Sequence, residues 1–191
     1  MERIGLFGGS FDPVHLGHLL VARAACEEFS LDRIYFIPAA RSPFKPDFAP
    51  ADDRARMQLL RLALAGNPRM RVDSLELDRG GTSFSINTVR AYARRIPEAK
   101  LFWLIGADHV PTLHKWRDAP QLAKSVEFLI IPRPGQADTK PPDGFTAHHL
   151  RGFPLGVSSS QIRARVQQGL PIDYLTGSAV ANSIRDNGLY L

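Results

Sequence analysis

Short apolar segments alternate with amphipathic ones along most of the chain, and this alternation limits the fold more than any other feature. Apolar runs of strand length, such as 101–105 and 126–131, alternate with segments of helical periodicity, such as 17–29 and 85–95. Strands that are apolar on both faces lie in parallel sheets, which helices cover on both sides. The pattern predicts a single α/β domain over residues 1–191, with a Rossmann-like parallel sheet and helices on both faces.

Local signals predict where several of the smaller elements begin. Asp52 is a candidate N-cap for a helix that runs to about residue 65, and Ser158 or Ser159 is a candidate N-cap for a helix near the C-terminus. The segments 69–73 and 75–77 read as two short strands.

The stretch 8–19 follows the first predicted strand and turns through two glycines and a proline into the first helix. Glycines let a backbone approach a ligand, and a helix N-terminus presents free N–H groups to an anion. His15 and His18 share one helix face, and each can donate a hydrogen bond to a phosphate oxygen, more strongly when protonated. Gly17 removes a side chain where a nucleotide would lie close. We therefore expect a phosphate site here, although two such histidines alone also suit a polar surface or half of a metal site.

The composition limits the cellular compartments and the classes of partner that we expect for this protein. No apolar run reaches the length of a membrane span, and the chain enters its first strand at once, so we expect no membrane partner and no signal segment. A single cysteine, Cys26, excludes an internal disulfide and is expected to be buried. These features favour the cytoplasm. The formal charge of +5 suits an anionic small substrate, and no basic-aromatic platform points to nucleic acid.

The serines at 158–160 form a second candidate anion site. Alone they are an N-cap, but their hydroxyl and N–H groups suit an anion, and Arg163 can donate two hydrogen bonds to a phosphate. Trp116 lies among charged residues. The sequence favours equally a lid over the core and a side chain that stacks on a planar ring. Asp108 follows a predicted strand and either caps a helix or binds a ribose hydroxyl.

Five segments carry a resemblance to a known family, and one of them is 187–190, which fits the family's usual ending. The stretch 8–19 closely resembles the G-G-[ST]-F-D-P-x-H-x-G-H signature of the nucleotidyltransferase superfamily. Segments 83–89, 106–116 and 157–163 are similar to motifs of the bacterial nicotinate-nucleotide adenylyltransferases, in the same order. The resemblance covers essentially the whole chain. It implies transfer of the adenylyl group of ATP to nicotinate mononucleotide, which gives deamido-NAD and pyrophosphate.

The same resemblance implies roles for individual residues. The catalytic residues would be His15, His18 and Arg163. ATP would be bound by Gly8, Gly9, Ser10, Phe11, Gly106, Asp108, Ser158, Ser159 and Ser160. The mononucleotide would be bound by Lys45, Ser83, Ser85 and Trp116. Mg²⁺ would accompany ATP as the cofactor, and no metal site built from the protein itself is expected.

One departure from the family pattern concerns the mononucleotide. Phe44 stands where the family usually has a histidine near the mononucleotide phosphate, and a phenyl ring cannot donate that hydrogen bond. Lys45 remains, and Arg41 offers a further cation. Two alternatives stay open at this point: an adenylyltransferase for nicotinamide mononucleotide or phosphopantetheine, and a non-catalytic nucleotide- or RNA-binding module. A homo-oligomer is also left open.

Overall fold

The computed structural model describes residues 1–44, 49–132, 139–153 and 155–191. Its strands are β1 (Arg3–Gly9), β2 (Arg33–Pro38), β3 (Met70–Val72), β4 (Lys100–Gly106), β5 (Glu127–Ile131) and β6 (Ala147–His149). These described strands form one sheet in the order β3-β2-β1-β4-β5-β6, and every neighbouring pair is parallel. The Rossmann-like prediction is confirmed. From β1 the chain adds β2 and β3 on one side, and it then returns to add β4, β5 and β6 on the other side. The strand order therefore reverses between β1 and β4, and such sheets bind ligands at the carboxyl ends of the strands beside that point.

The described helices are α1 (Leu16–Glu28), α2 (Asp53–Leu64), α3 (Leu75–Arg79), α4 (Ser85–Arg95), α5 (Ala119–Ser125), α6 (Ser159–Gln167), α7 (Asp173–Thr176) and α8 (Ser178–Asp186). A 3-10 helix (Ala107–Lys115) follows β4 directly. Among these elements, no helix is long and apolar enough to cross a membrane.

Helices cover both faces of the sheet, as predicted. On β4, Leu101, Trp103 and Ile105 pack with α4, α5 and the 3-10 helix in one buried cluster. The alternate residues Phe102 and Leu104 pack in a second cluster with α1, α2, α6 and α8. Because successive side chains of a strand point to opposite faces, a nearly continuous apolar run supplies both cores. Cys26 of α1 is buried in the second cluster.

Two predicted helix starts are confirmed by their capping contacts. The carboxylate of Asp52 accepts hydrogen bonds from the N–H groups of Arg54 and Ala55, at 3.0 and 3.3 Å. The hydroxyl of Ser158 accepts the N–H of Gln161 at 3.2 Å. Each contact joins neighbours in the chain, so the sequence alone was sufficient to predict it.

The predicted strand at 75–77 is wrong, because these residues begin α3. The alternation of Leu75, Glu76 and Leu77 suggests buried leucines and an exposed glutamate, yet both leucines are half-buried and Glu76 is buried. Glu76 accepts a hydrogen bond of 2.5 Å from the hydroxyl of Thr88, which lies on α4. The hydrogen bond from Thr88 offsets the cost of burying the Glu76 side chain, so Glu76 is buried although the local apolar pattern predicts that it is exposed.

Candidate functional site

The turn after β1 ends at His15, the N-cap of α1. The N–H of His15 donates to Nδ1 of His18 at 3.2 Å, and the two imidazole rings stack with centroids 3.7 Å apart. The predicted proximity of the two histidines is therefore confirmed. Because Nδ1 of His18 accepts a hydrogen bond, neutral His18 carries its proton on Nε2. That N–H is the donor His18 can offer to an anion.

Both histidines are uncharged at neutral pH in the free protein. Burial lowers the pKa of His15 to about 4. Burial also lowers the pKa of His18 well below its ordinary value, and the charge of a protonated His15 lowers it further. The rings of Phe7 and Phe11 enclose His18, with centroids 5.8 and 5.0 Å from it. In the free protein the two histidines are thus neutral donors, and positive charge at this site comes from other groups.

The N-terminal end of α6 packs against the same turn. The hydroxyl of Ser159 donates to the carbonyl of Pro13 at 2.8 Å, and Nη1 of Arg163 donates to the carbonyl of Asp12 at 2.6 Å. Nη2 of Arg163 donates to the hydroxyl of Ser160 at 3.3 Å. The structure therefore brings the serines at 158–160 and Arg163 to residues 10–18, which we call the two-histidine turn. It also gives each serine hydroxyl a protein partner, which leaves the helix N-terminus and the guanidinium as the main features that attract an anion.

Two glycines that flank the turn after β1, Gly8 of β1 and Gly17 of α1, make room for protein groups. A Cβ on Gly17 would lie 3.0 Å from both Nδ1 of His15 and Cγ1 of Val157. A Cβ on Gly8 would lie 2.9 Å from Cζ2 of Trp103. The missing side chain of Gly17 lets the His15 ring and the segment before α6 come together. The close approach of a nucleotide at Gly17 stays a prediction.

A cavity of about 230 Å³ lies at the carboxyl ends of β1 and β4. Its lining includes the predicted residues Gly8, Gly9, Ser10, Ser83, Ser85, Gly106 and Trp116. His15 and His18 are not in its lining; they lie farther along the chain, at the N-cap and in the first turn of α1. A second cavity of about 380 Å³ adjoins the first, and the two share Pro43, Phe44, Ser85, His109 and Trp116.

Three of the shared residues, Phe44, His109 and Trp116, form an aromatic wall that lines both cavities. The ring centroid of Phe44 lies 4.7 Å from that of His109 and 5.4 Å from that of Trp116. Nε1 of Trp116 is buried and has no hydrogen-bond partner among the described residues. A buried donor without a partner is uncommon and favours a ligand that supplies one. The stacking of Trp116 on a ligand ring stays a prediction.

The polar side of the smaller cavity is held by Ser83 and Glu76. The N–H of Ser83 donates to the carbonyl of Arg41 at 2.9 Å, and its hydroxyl accepts the N–H of Ala40 at 3.0 Å. Glu76 lines the cavity with a carboxyl group that is 3% exposed. Burial raises the pKa of Glu76, while hydrogen bonds from Thr88 and Ser83 act in the opposite direction.

Two further predicted residues have different outcomes. Asp108 is exposed at the start of the 3-10 helix, and its Oδ1 would lie 2.6 Å from a Cβ on Gly106. Its carboxylate therefore lies against the end of β4. Lys45 lies outside the described residues.

Comparison with known proteins identifies the family. Residues 6–165 match the family model described as cytidylyltransferase-like. The chain is 42% identical over 193 residues to a "probable nicotinate-nucleotide adenylyltransferase" of Thermus thermophilus, covering 98% of this chain and 99% of that one. A protein of the same name from Opitutus terrae is 40% identical over 191 residues, with 98% and 97% covered. The chain belongs to the nicotinate-nucleotide adenylyltransferase family.

Solved structures agree with this assignment at the level of the fold. The Plasmodium falciparum nicotinic acid mononucleotide adenylyltransferase complexed with NaAD gives a TM-score of 0.82 at 16% identity, covering 100% of this chain and 98% of that one. A putative nicotinate-nucleotide adenylyltransferase from Vibrio parahaemolyticus gives 0.74 at 19% identity, with 100% and 96% covered.

The sequence patterns missed one residue that shapes the site of this adenylyltransferase. Arg56 of α2 is fully buried, and its Nη1 donates to the carbonyls of Ser10 and Ala39 at 2.9 and 2.8 Å. It thereby joins the turn after β1 to the segment after β2. The available signal was its position three and four residues before Leu59 and Leu60, which places an arginine on the buried face of α2.

The larger cavity adds charged residues that the sequence patterns also missed. Lys115 and Arg117 line it on either side of Trp116. The guanidinium of Arg117 lies 4.7 Å from the ring centroid of Phe84, so its position is held by a cation–π contact. Two cations beside an aromatic wall suit a ligand that has both a planar ring and negative charge.

Proposed function

We propose that this chain transfers the adenylyl group of ATP to nicotinate mononucleotide, producing deamido-NAD and pyrophosphate. One observation carries the proposal: the chain that lines the aromatic cavity at Gly8, Gly9 and Ser10 leads directly to the paired histidines, and Arg163 of α6 packs on the same stretch at Asp12. A ring-binding part and an anion-binding part are thus adjacent at the carboxyl ends of β1 and β4, where such sheets bind ligands.

The reaction needs no nucleophile from the protein. An oxygen of the mononucleotide 5′-phosphate forms a bond to the α-phosphorus of ATP, while the bond from that phosphorus to the bridging oxygen of the β-phosphate breaks. Pyrophosphate leaves with the electron pair of that bond. The difficulty is to hold two polyanions together, so the protein acts through positioning and electrostatic stabilisation.

The anion-binding part would hold ATP. We assign the neutral N–H donors of His15 and His18 to oxygens of the α- and β-phosphates, with N–H groups at Ser10 and Phe11 assisting. Arg163 and the N-terminal end of α6, at Ser158, Ser159 and Ser160, would hold the departing pyrophosphate. Gly106 and Asp108 lie at the end of β4, where Asp108 would bind a ribose hydroxyl.

The aromatic part would hold the mononucleotide. Trp116 would stack on the pyridine ring, and Phe44 packs beside it in the same wall. Ser85 begins α4 and would meet the nicotinate carboxylate through its backbone N–H. The N–H of Ser83 already donates to the carbonyl of Arg41, so we propose that Ser83 contacts the mononucleotide as part of the cavity lining beside Ser85. Lys45 is proposed to contact the mononucleotide phosphate.

A divalent metal ion is proposed to enter the site together with ATP. The described residues contain no group of three or more His, Cys, Asp or Glu side chains that could hold one. ATP-using nucleotidyltransferases generally use a divalent metal, and Mg²⁺ binds readily to phosphates while it retains several waters. We therefore treat Mg²⁺ as part of the ATP substrate.

The test is pyrophosphate release from MgATP, measured in parallel with nicotinate mononucleotide, nicotinamide mononucleotide and phosphopantetheine. We expect the highest kcat/KM with nicotinate mononucleotide and a product with the mass of deamido-NAD. A preference for another acceptor would refute the assigned substrate but leave adenylyl transfer standing. No release with any of the three would overturn the proposal.

A further inference from the structure

The carboxylate of Asp12 connects the phosphate site to the C-terminal end of the chain. Asp12 is 2% exposed, and its Oδ1 accepts hydrogen bonds from the hydroxyl of Tyr190 at 2.8 Å and the N–H of Ala51 at 3.1 Å. Arg163 meets the same residue: its Nη1 lies 3.8 Å from Oδ2 and 2.6 Å from the carbonyl oxygen. Tyr190, Asp12 and Arg163 thus form one continuous set of contacts.

The backbone is unusual on both sides of this hydrogen bond. Phe11, directly before Asp12, has φ of +47°, and Tyr190 has φ of +67°. Residues with side chains seldom adopt this left-handed region, and they persist there only where the surrounding structure holds them. Phe11 is almost fully buried, and Tyr190 packs against the second core cluster. Strain of this kind concentrates at functional sites.

The end of α8 directs Tyr190 toward Asp12. The N–H of Gly188 donates to the carbonyl of Arg185 at 3.1 Å, and that of Leu189 to the carbonyl of Ile184 at 3.0 Å. These bonds end the helix and turn the chain back over the core. Burial and the negative charge of Asp12 raise the pKa of Tyr190, so its hydroxyl keeps its proton and donates it to the carboxylate.

We propose that Tyr190 is a positioning residue for the phosphate site, which acts through Asp12 to hold Arg163 and the turn at residues 10–13 in the arrangement that binds ATP. The hydroxyl of Tyr190 does not touch the substrate in this account. It gives Asp12 a donor, and Asp12 in turn locates the guanidinium. The inference rests on the proposed function only in taking the phosphates of ATP as the ligand of Arg163.

The test compares Tyr190→Phe with the matched control Tyr174→Phe. Each change removes one phenolic oxygen, but Tyr174 is 93% exposed on α7. For Tyr190→Phe we expect the Kd for a non-hydrolysable ATP analogue to rise, and kcat/KM for ATP to fall, by about tenfold to a hundredfold. The KM for the mononucleotide and every constant of Tyr174→Phe should stay within about twofold of the wild-type values.

A purely structural role predicts a different result. If the hydroxyl only anchors the C-terminus, the melting temperature falls while the Kd for the analogue and kcat/KM stay unchanged well below that temperature, which would overturn the proposal. A double mutant adds a second criterion. In an Arg163→Ala background, Tyr190→Phe should have no further effect on the Kd, whereas independent, additive losses would refute action through Arg163.

A further variant keeps the proposal testable if Tyr190→Phe fails to fold. Asp12→Asn keeps an oxygen for Tyr190 to donate to but removes the charge beside Arg163, so analogue binding should still weaken; an unchanged Kd would overturn the proposal. If the wild-type protein binds the analogue but releases no pyrophosphate with any acceptor, the proposed function fails. The comparison of Kd values then still decides the role of Tyr190.

Discussion

Acidification should lower the free energy of unfolding, because the paired histidines resist protonation in the folded state. The pKa of His15 sets the size of this effect. Its pKa is about 4 in the folded chain, against about 6.5 in an unfolded one. Between these values the unfolded state binds more protons than the folded state, so the free energy of unfolding falls as the pH falls. Well above pH 6.5, His15 is neutral in both states and contributes no pH dependence.

The size of the effect follows from the two pKa values. From pH 7 to pH 5, protonation of His15 in the unfolded chain alone should lower the free energy of unfolding by about 2 kcal/mol. The loss should approach about 3 kcal/mol below pH 4, where the folded state also takes up the proton. His18 shifts in the same direction and adds to the loss.

The assay is urea denaturation of the wild-type protein and His15→Asn at pH 7 and pH 5. Asparagine keeps a good N-cap for α1 and does not titrate. Glu76, whose raised pKa acts in the opposite sense, is present in both proteins, so its contribution cancels in the comparison. The pH-dependent loss should be about 2 kcal/mol smaller in the variant. Equal losses in the two proteins would refute the buried, neutral state of His15.

Three other substitutions test the packing around the site. In Gly8→Ala a Cβ would lie 2.9 Å from Trp103, which should lower the free energy of unfolding in urea by about 1–3 kcal/mol. In Arg56→Met the carbonyls of Ser10 and Ala39 lose their buried donor, and the same measurement should show a loss of about 3 kcal/mol. Trp116→Ala should raise the KM for the mononucleotide about tenfold and leave that for ATP unchanged. Unchanged urea midpoints, or equal shifts in both KM values, would contradict these expectations.

Features that depend on neighbours in the chain were predictable from the sequence. The helix at 85–95 was predicted with the bounds it has in the structure, and the Asp52 cap was predicted because both of its partners follow within three residues. The parallel sheet followed from apolar runs of strand length, since only a sheet covered on both faces buries them. Pairing the histidines required only their spacing and the glycine turn before them.

Features that depend on distant partners were not predictable. The burial of Glu76 was missed because its hydrogen-bond partner Thr88 lies on a different helix. The uncharged state of the histidines was missed because burial sets their pKa values, and burial arises only when the chain folds. Arg56 was overlooked because its acceptors lie on two loops that only the folded chain brings together.

The central claim is that the two-histidine turn is the site of adenylyl transfer. Its most direct test is the steady-state rate at which His18→Ala releases pyrophosphate from MgATP and nicotinate mononucleotide. His149→Ala, an exposed substitution on β6, is the matched control. Loss of one preorganised donor of this kind costs about 10²–10³ in rate, so His18→Ala should lose at least a hundredfold in kcat while the control keeps wild-type activity. A folded His18→Ala protein with a near-normal kcat would contradict the account.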